Sequence, residues 1–119
     1  MRYIVNGVYV DAISDEGAPF NIENGVAANR IDMVLFGVRS YSPGMTPGMR
    51  ALSNEETEAA IAAMRKLKAH REGASVALED AEWRIAKHCV ASVFPNAVHA
   101  HWQGPAVNRI MDEALTEEP

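Results

Sequence analysis

Helical periodicity runs from Leu52 to Phe94 with a single break, and this constrains the chain more than any other feature. Ser53-Asn54-Glu55-Glu56 has the form of a capping box, in which the serine hydroxyl satisfies the first turn and Glu56 reaches back. Ile61, Met64 and Leu67 then fall on one helical face, while Ala59, Ala60, Ala62 and Ala63 keep the helix slim. Gly73 is placed to end it just after Arg71. Ser75 is read as the cap of a second helix running to Phe94, where Pro95 stops growth. Its apolar stripe is Leu78, Ala81, Ile85, Cys89 and Val93, with Trp83, Val90 and Phe94 alongside. So short a link between two such helices predicts an antiparallel helical hairpin over residues 53–94.

The N-terminal part, residues 1–42, reads as β-rich. Asn6-Gly7 is a strong hairpin signal, because both residues tolerate the positive φ of a type I′ turn. A two-residue loop pairs Val5 with Val8, Ile4 with Tyr9, Tyr3 with Val10 and Arg2 with Asp11. One face then offers Tyr3, Val5, Val8 and Val10 to a core, and the other carries Ile4 and Tyr9. A lone hairpin needs a further strand or a helix to lie on. The segment Asp32–Arg39 supplies a third strand by its β-branched and aromatic content, although Ala27, Ile31, Val34, Leu35 and Val38 also fit a helical stripe. Residues 12–25 read as a connecting loop.

The doubled unit Pro43-Gly44-Met45-Thr46 and Pro47-Gly48-Met49-Arg50 places proline and glycine at the central positions of two type II turns. It connects the β-rich part to the first helix, or offers two methionines to a partner. Beyond the helical hairpin, Gly104-Pro105 opens a short terminal helix over residues 104–116, striped by Ala106, Val107, Ile110, Met111 and Leu115. The expected class is therefore α+β: an N-terminal β-hairpin with a third strand, a long antiparallel αα-hairpin and a short C-terminal helix.

At 119 residues and 48% apolar content, the chain is expected to form a single domain with one core. The net charge of -5 argues against a duplex nucleic-acid partner, whose phosphates call for a positive footprint. The acidic excess is C-terminal, with three Lys/Arg against seven Asp/Glu in residues 73–119. No apolar run is long enough to span a bilayer, so no membrane partner is expected. Asn6-Gly7 interrupts the N-terminus too early for a signal-peptide core, which points to a cytoplasmic protein. The single cysteine, Cys89, sits among Ile85, Ala86, Val90 and Val93 and reads as a small buried hydrophobe.

Three groups of residues have the chemistry for a site. His88, His99 and His101 could ligate a metal, since His99-Ala100-His101 would put two imidazoles on one side of an extended segment. Against this, the spacing demands no third ligand. Arg65, Lys68 and Arg71 could hold an anionic, nucleotide-like ligand at a subunit junction, with Trp83 or Tyr41 for stacking. The same cations also suit a helix C-terminus facing Glu79, Asp80 and Glu82 at the start of the next helix. Likewise Glu55, Glu56 and Glu58 would face Lys87 and His88 at the other end. The carboxylates Asp11, Asp15, Glu16, Glu23 and Asp32 have no spacing that sets an acid/base pair.

Glycine-rich phosphate loops, the nucleophile elbow and the His-Glu-x-x-His motif are all missing, which weighs against an enzyme, and no cofactor is implied. The second helix is apolar over more than half its circumference, through Val76, Leu78, Ile85, Val90, Val93 and Phe94. A helix of that kind is normally buried, so a homo-oligomer is expected. The leading expectation is a non-enzymatic binding or assembly protein, accessory or adaptor in character, working through its helical hairpin with a protein partner. Small accessory proteins of bacteria and their phages fit that description. The alternatives are the small anionic-ligand binder and the small metal-dependent enzyme.

Overall fold

The computed structural model describes residues 1–9, 29–97 and 101–119. Its elements, in chain order, are β1 (Arg2–Val5), α1 (Arg30–Arg39), α2 (Asn54–Ala69), β2 (Ser75–Leu78), α3 (Asp80–Val93) and α4 (Gly104–Asp112). Short 3-10 turns occupy Phe94–Asn96 and His101–Gln103. The α+β class holds, but its β part is built differently from the expected hairpin.

β1 pairs antiparallel with β2, some seventy residues away in the chain (Arg2 opposite Leu78, Tyr3 opposite Ala77, Ile4 opposite Val76, Val5 opposite Ser75). Its other edge is taken at Tyr3, which exchanges two backbone hydrogen bonds of 2.8 Å with Leu115. Asn6-Gly7 therefore does not fold the chain back on itself, and Val8 instead bridges to Asn29. Val10 and Asp11, two of the expected hairpin residues, lie outside the described residues, as does the expected loop 12–25. The inward face is also reversed. Ile4 and Tyr9 are buried, whereas Val5 and Val8 are exposed, Val8 to 67%.

The reason is visible at Asn6. Its side-chain amide donates to the carbonyls of Arg71 (3.1 Å) and Gly73 (2.8 Å). Its side-chain oxygen accepts from the Ile31 N–H at 3.2 Å, and its own backbone N–H donates to Ala74 at 2.9 Å. Asn29 joins the same junction, donating to the Arg71 carbonyl at 2.6 Å and capping α1 through the Asp32 N–H at 2.7 Å. These partially buried polar groups obtain partners from three chain segments at once, which a local turn cannot supply.

Asp32–Arg39, expected as a third strand, is helical instead, as the body of α1. α1 touches β1, α2, α3 and α4, so nearly all of its sides are covered: Ile31, Met33, Val34, Leu35 and Val38 are buried. A helix buried all round lacks the polar positions that reveal a period, hence its resemblance to a buried strand. Gly37 lets α3 come close. A Cβ there would lie 2.8 Å from Val90 Cγ2 and 3.3 Å from Phe94 Cε2.

The helical hairpin is present with an inserted strand. Ser75 does not cap a helix; it opens β2, in which Val76 and Leu78 are buried and Ser75 and Ala77 only partly so. α3 begins five residues later, with the Glu79 N–H donating to the Glu82 carboxylate at 2.8 Å. Two helices joined through a strand still run antiparallel, because Lys66 near the end of α2 meets Glu82 at the start of α3 (2.6 Å). Lys87, expected opposite the start of α2, pairs instead with Asp112 of α4 at 2.7 Å. The terminal helix is shorter than 104–116, ending at Asp112, with Ala106, Val107, Ile110 and Met111 buried.

Val76, Leu78, Ile85, Val90, Val93 and Phe94 are all buried within this one chain. The leftover apolar face that suggested a second copy is thus covered from inside, by β1, α1 and α4. Cys89 is buried, as its neighbours indicated. Among the described residues, no helix is long and apolar enough to cross a membrane.

Three substitutions check this construction. Asn6→Ala takes the side-chain partner from the Gly73 carbonyl and the Ile31 N–H, leaves the Arg71 carbonyl to Asn29 alone, and should cost about 2 kcal/mol in urea unfolding. Val8→Ala, at an exposed site, should change stability by less than about 0.5 kcal/mol. Equal effects would remove Asn6 from its central position. Gly37→Ala gains up to about 1 kcal/mol in helix propensity but forces a methyl onto Val90. A net loss of about 1–2 kcal/mol is expected, and an unchanged midpoint would mean that the helices separate freely.

Candidate functional site

The connection between α1 and α2 is built from the two Pro-Gly turns, both present as expected. The Met45 N–H donates to Ser42 O at 3.2 Å and the Met49 N–H to Thr46 O at 3.3 Å. Gly44 and Gly48 have φ of 84° and 87°, the left-handed geometry that a type II turn requires at its third residue. Nothing lies within 4 Å of a Cβ at either position, so the glycines serve the backbone angle rather than a close contact. The two methionines part company. Met45 is 87% exposed, while Met49 is buried and its sulfur accepts from the Ser42 N–H at 3.4 Å.

The far end of this loop is clamped to α2. Arg50 meets Glu56 through two hydrogen bonds, 2.9 and 2.7 Å, the bidentate geometry of a guanidinium on a carboxylate. The same Glu56 accepts from the Ser53 N–H at 3.0 Å while Ser53 Oγ accepts from the Glu56 N–H at 3.1 Å, which completes the capping box. The near end is pinned to α3 by Tyr41. Its hydroxyl donates to Arg50 O at 2.7 Å and lies 3.1 Å from His88 Nε2, with the two rings edge to face at 5.5 Å. The shorter contact favours Arg50 O as acceptor of the phenol proton, an arrangement that pairs with an imidazole donating from Nε2.

A cleft of about 510 Å³ opens between this loop, the end of α1 and the side of α2, with Cys89 of α3 at its floor. Val38, Leu52, Ala60, Ile61 and Met64 supply most of the apolar wall, and among the described residues Arg39 is the single charged one in the lining. A second cleft of about 350 Å³, lined by Arg50, Glu55, Glu56, Arg84 and His88 among others, is mixed in charge. Tyr41 lines the first and His88 the second, so their contact forms part of the wall between them.

Burial and neighbouring charges shift the ionisable groups here. Burial pushes the Cys89 thiol up to about 11, with Glu56 adding to the rise and Arg50 opposing it, so the thiol stays protonated at neutral pH. Burial also lowers His88, and the nearby Arg50 cation lowers it further, favouring the neutral imidazole. Tyr41 is raised, chiefly by burial. The Arg50 guanidinium, and then the Ser53 N–H, bring Glu56 down to about 2.

The sequence-derived candidates are distributed elsewhere. Arg65 and Lys68 are exposed on α2. Arg71 pairs with Asp32 (Nε to Oδ1, 3.1 Å), and its carbonyl takes the amides of Asn6 and Asn29. Trp83 donates from its indole to Met111 O at 3.0 Å, with the Arg2 guanidinium 4.3 Å from its ring. None of these four lines either cleft. His88 is engaged with Tyr41, His101 is exposed in a 3-10 turn, and His99 lies outside the described residues. Among the described residues, no three His, Cys, Asp or Glu come together as a metal site. What sequence reasoning missed is the closure of the loop. Its one local signal was an arginine placed three residues before a capping serine. No family model, curated protein or solved structure matches the chain.

The depressed Glu56 carboxyl sets an acid dependence. Its contribution to stability is complete above pH 4.5, the ordinary value, and is lost as pH falls towards about 2. Glu56→Gln should therefore lower the denaturation midpoint at pH 6 and cease to differ from wild type near pH 2. A difference that persists unchanged at pH 2 would mean that the ionised carboxylate contributes nothing.

Proposed function

We propose that this is a non-enzymatic binding protein, and that its binding surface is the cleft between α1, the 40–53 loop and α2. The observation that carries this reading is the cleft itself: about 510 Å³ of mainly apolar space, within the range of small-molecule sites. Its frame is preorganised, since the Arg50–Glu56 pair and the Tyr41 hydroxyl hold the loop before any ligand arrives. The groups nearest it with reactive chemistry, Cys89 and His88, are biased towards their neutral forms. The protonated thiol at the cleft's floor favours binding over nucleophilic catalysis. The reading keeps the binding class expected from the sequence and moves the surface from the helical hairpin as a whole to the cleft beside α2.

Titration with the uncharged dye Nile red tests it. A single saturable site is expected, weakened about tenfold by Ile61→Glu, which sets a charge on the cleft wall at a position 39% exposed. Circular dichroism checks that the variant folds. Absence of saturable binding, or equal affinity for the folded variant, would overturn the proposal.

A further inference from the structure

The lining of the cleft narrows the ligand further, provided the cleft is the binding surface proposed above. Its two hydroxyl protons are committed: Tyr41 donates to Arg50 O at 2.7 Å and Thr57 to Ser53 O at 2.9 Å. The thiol at the floor is a weak donor held neutral by burial. A guest lying along Leu52, Ala60, Ile61 and Met64 therefore finds few side-chain donors, and any polar group on that part would lose its hydration without replacement.

Arg39 is the exception. It is the last residue of α1, it is exposed, and among the described residues it has neither an ion pair nor a hydrogen-bond partner. A cation in the last turn suits the helix dipole from any side of the helix. This one stands in a cleft whose other described lining residues are uncharged. Other described cations near the fold's helix ends are engaged, including Arg50 by Glu56, Lys66 by Glu82 and Arg71 by Asp32.

We infer that the cleft takes an amphiphile with a hydrocarbon body and a single carboxylate head, the body on the apolar wall and the head on Arg39. One guanidinium matches one carboxylate, and its planar fork can hold both oxygens. A doubly charged phosphate would keep one charge uncompensated beside an apolar wall.

Calorimetric titration with octanoate, octanol and octyl phosphate, each below its micelle-forming concentration, tests the head and the body separately. Octanoate should bind wild type about tenfold more tightly than octanol and more tightly than octyl phosphate. Arg39→Gln, at an exposed site, should abolish that preference while the variant still binds octanol, with a small fall in thermal midpoint from the cation lost at the helix end. Equal affinities for octanoate and octanol, or a preference that survives Arg39→Gln, overturn the assignment of the head and leave the cleft reading standing. Tighter binding of octyl phosphate overturns the carboxylate in favour of a phosphate. If neither octanoate nor octanol binds at a saturable site, the cleft reading fails and the inference with it.

Discussion

The side-chain amide of Asn6 joins three parts of the chain that are far apart in sequence. It meets two carbonyls of the α2–β2 connection and the first turn of α1, directly after the strand that pairs with β2. Asn29 adds a second amide to the Arg71 carbonyl while capping α1. Once these bonds form, β1 is aligned with β2 and α1 is directed into the core. Each partner would otherwise be a partly buried polar group without a hydrogen bond, which makes the junction costly to assemble in any other register.

The position of α1 sets the position of the cleft. Gly37 lets α1 lie against Val90 and Phe94 of α3, and the Phe36 and Phe94 rings meet at 5.6 Å. The end of α1 then arrives beside α2 with a gap that the 40–53 loop must cross. Two type II turns make that crossing, one end held by Tyr41 on His88 and the other by Arg50 on Glu56. The loop is thus stretched around the gap rather than packed into it, and Cys89 is left as its floor.

Several parts of this arrangement could be read directly from residue order. The Ser53–Glu56 box, the turns at Pro43-Gly44 and Pro47-Gly48, and the burial of Cys89 among Ile85, Ala86, Val90 and Val93 were all legible. Each depends on neighbours within a few positions, where spacing alone states the geometry. The junction at Asn6 was not legible. Asn-Gly is a strong local hairpin signal, yet here the asparagine amide finds better partners near residue 71. The candidate site was illegible for a related reason. Arg65, Lys68 and Arg71 cluster in sequence, but Arg71 turns to α1 while the other two face solvent. Tyr41 and His88 are forty-seven positions apart and meet only in the folded chain.

By itself, then, the sequence determined the helices that carry their own caps and stripes, the two glycine turns and the general α+β class. Short-range hydrogen bonds and side-chain period specify these without reference to the rest of the molecule. Tertiary structure alone decided that residues 30–39 are a helix, that β1 pairs with β2, and that a cleft with Arg39 in its lining opens beside α2. A segment buried on nearly every side carries no polar period to identify it. Strand pairing across seventy residues is chosen by which partners satisfy the backbone, and a cleft is the space that packing leaves open.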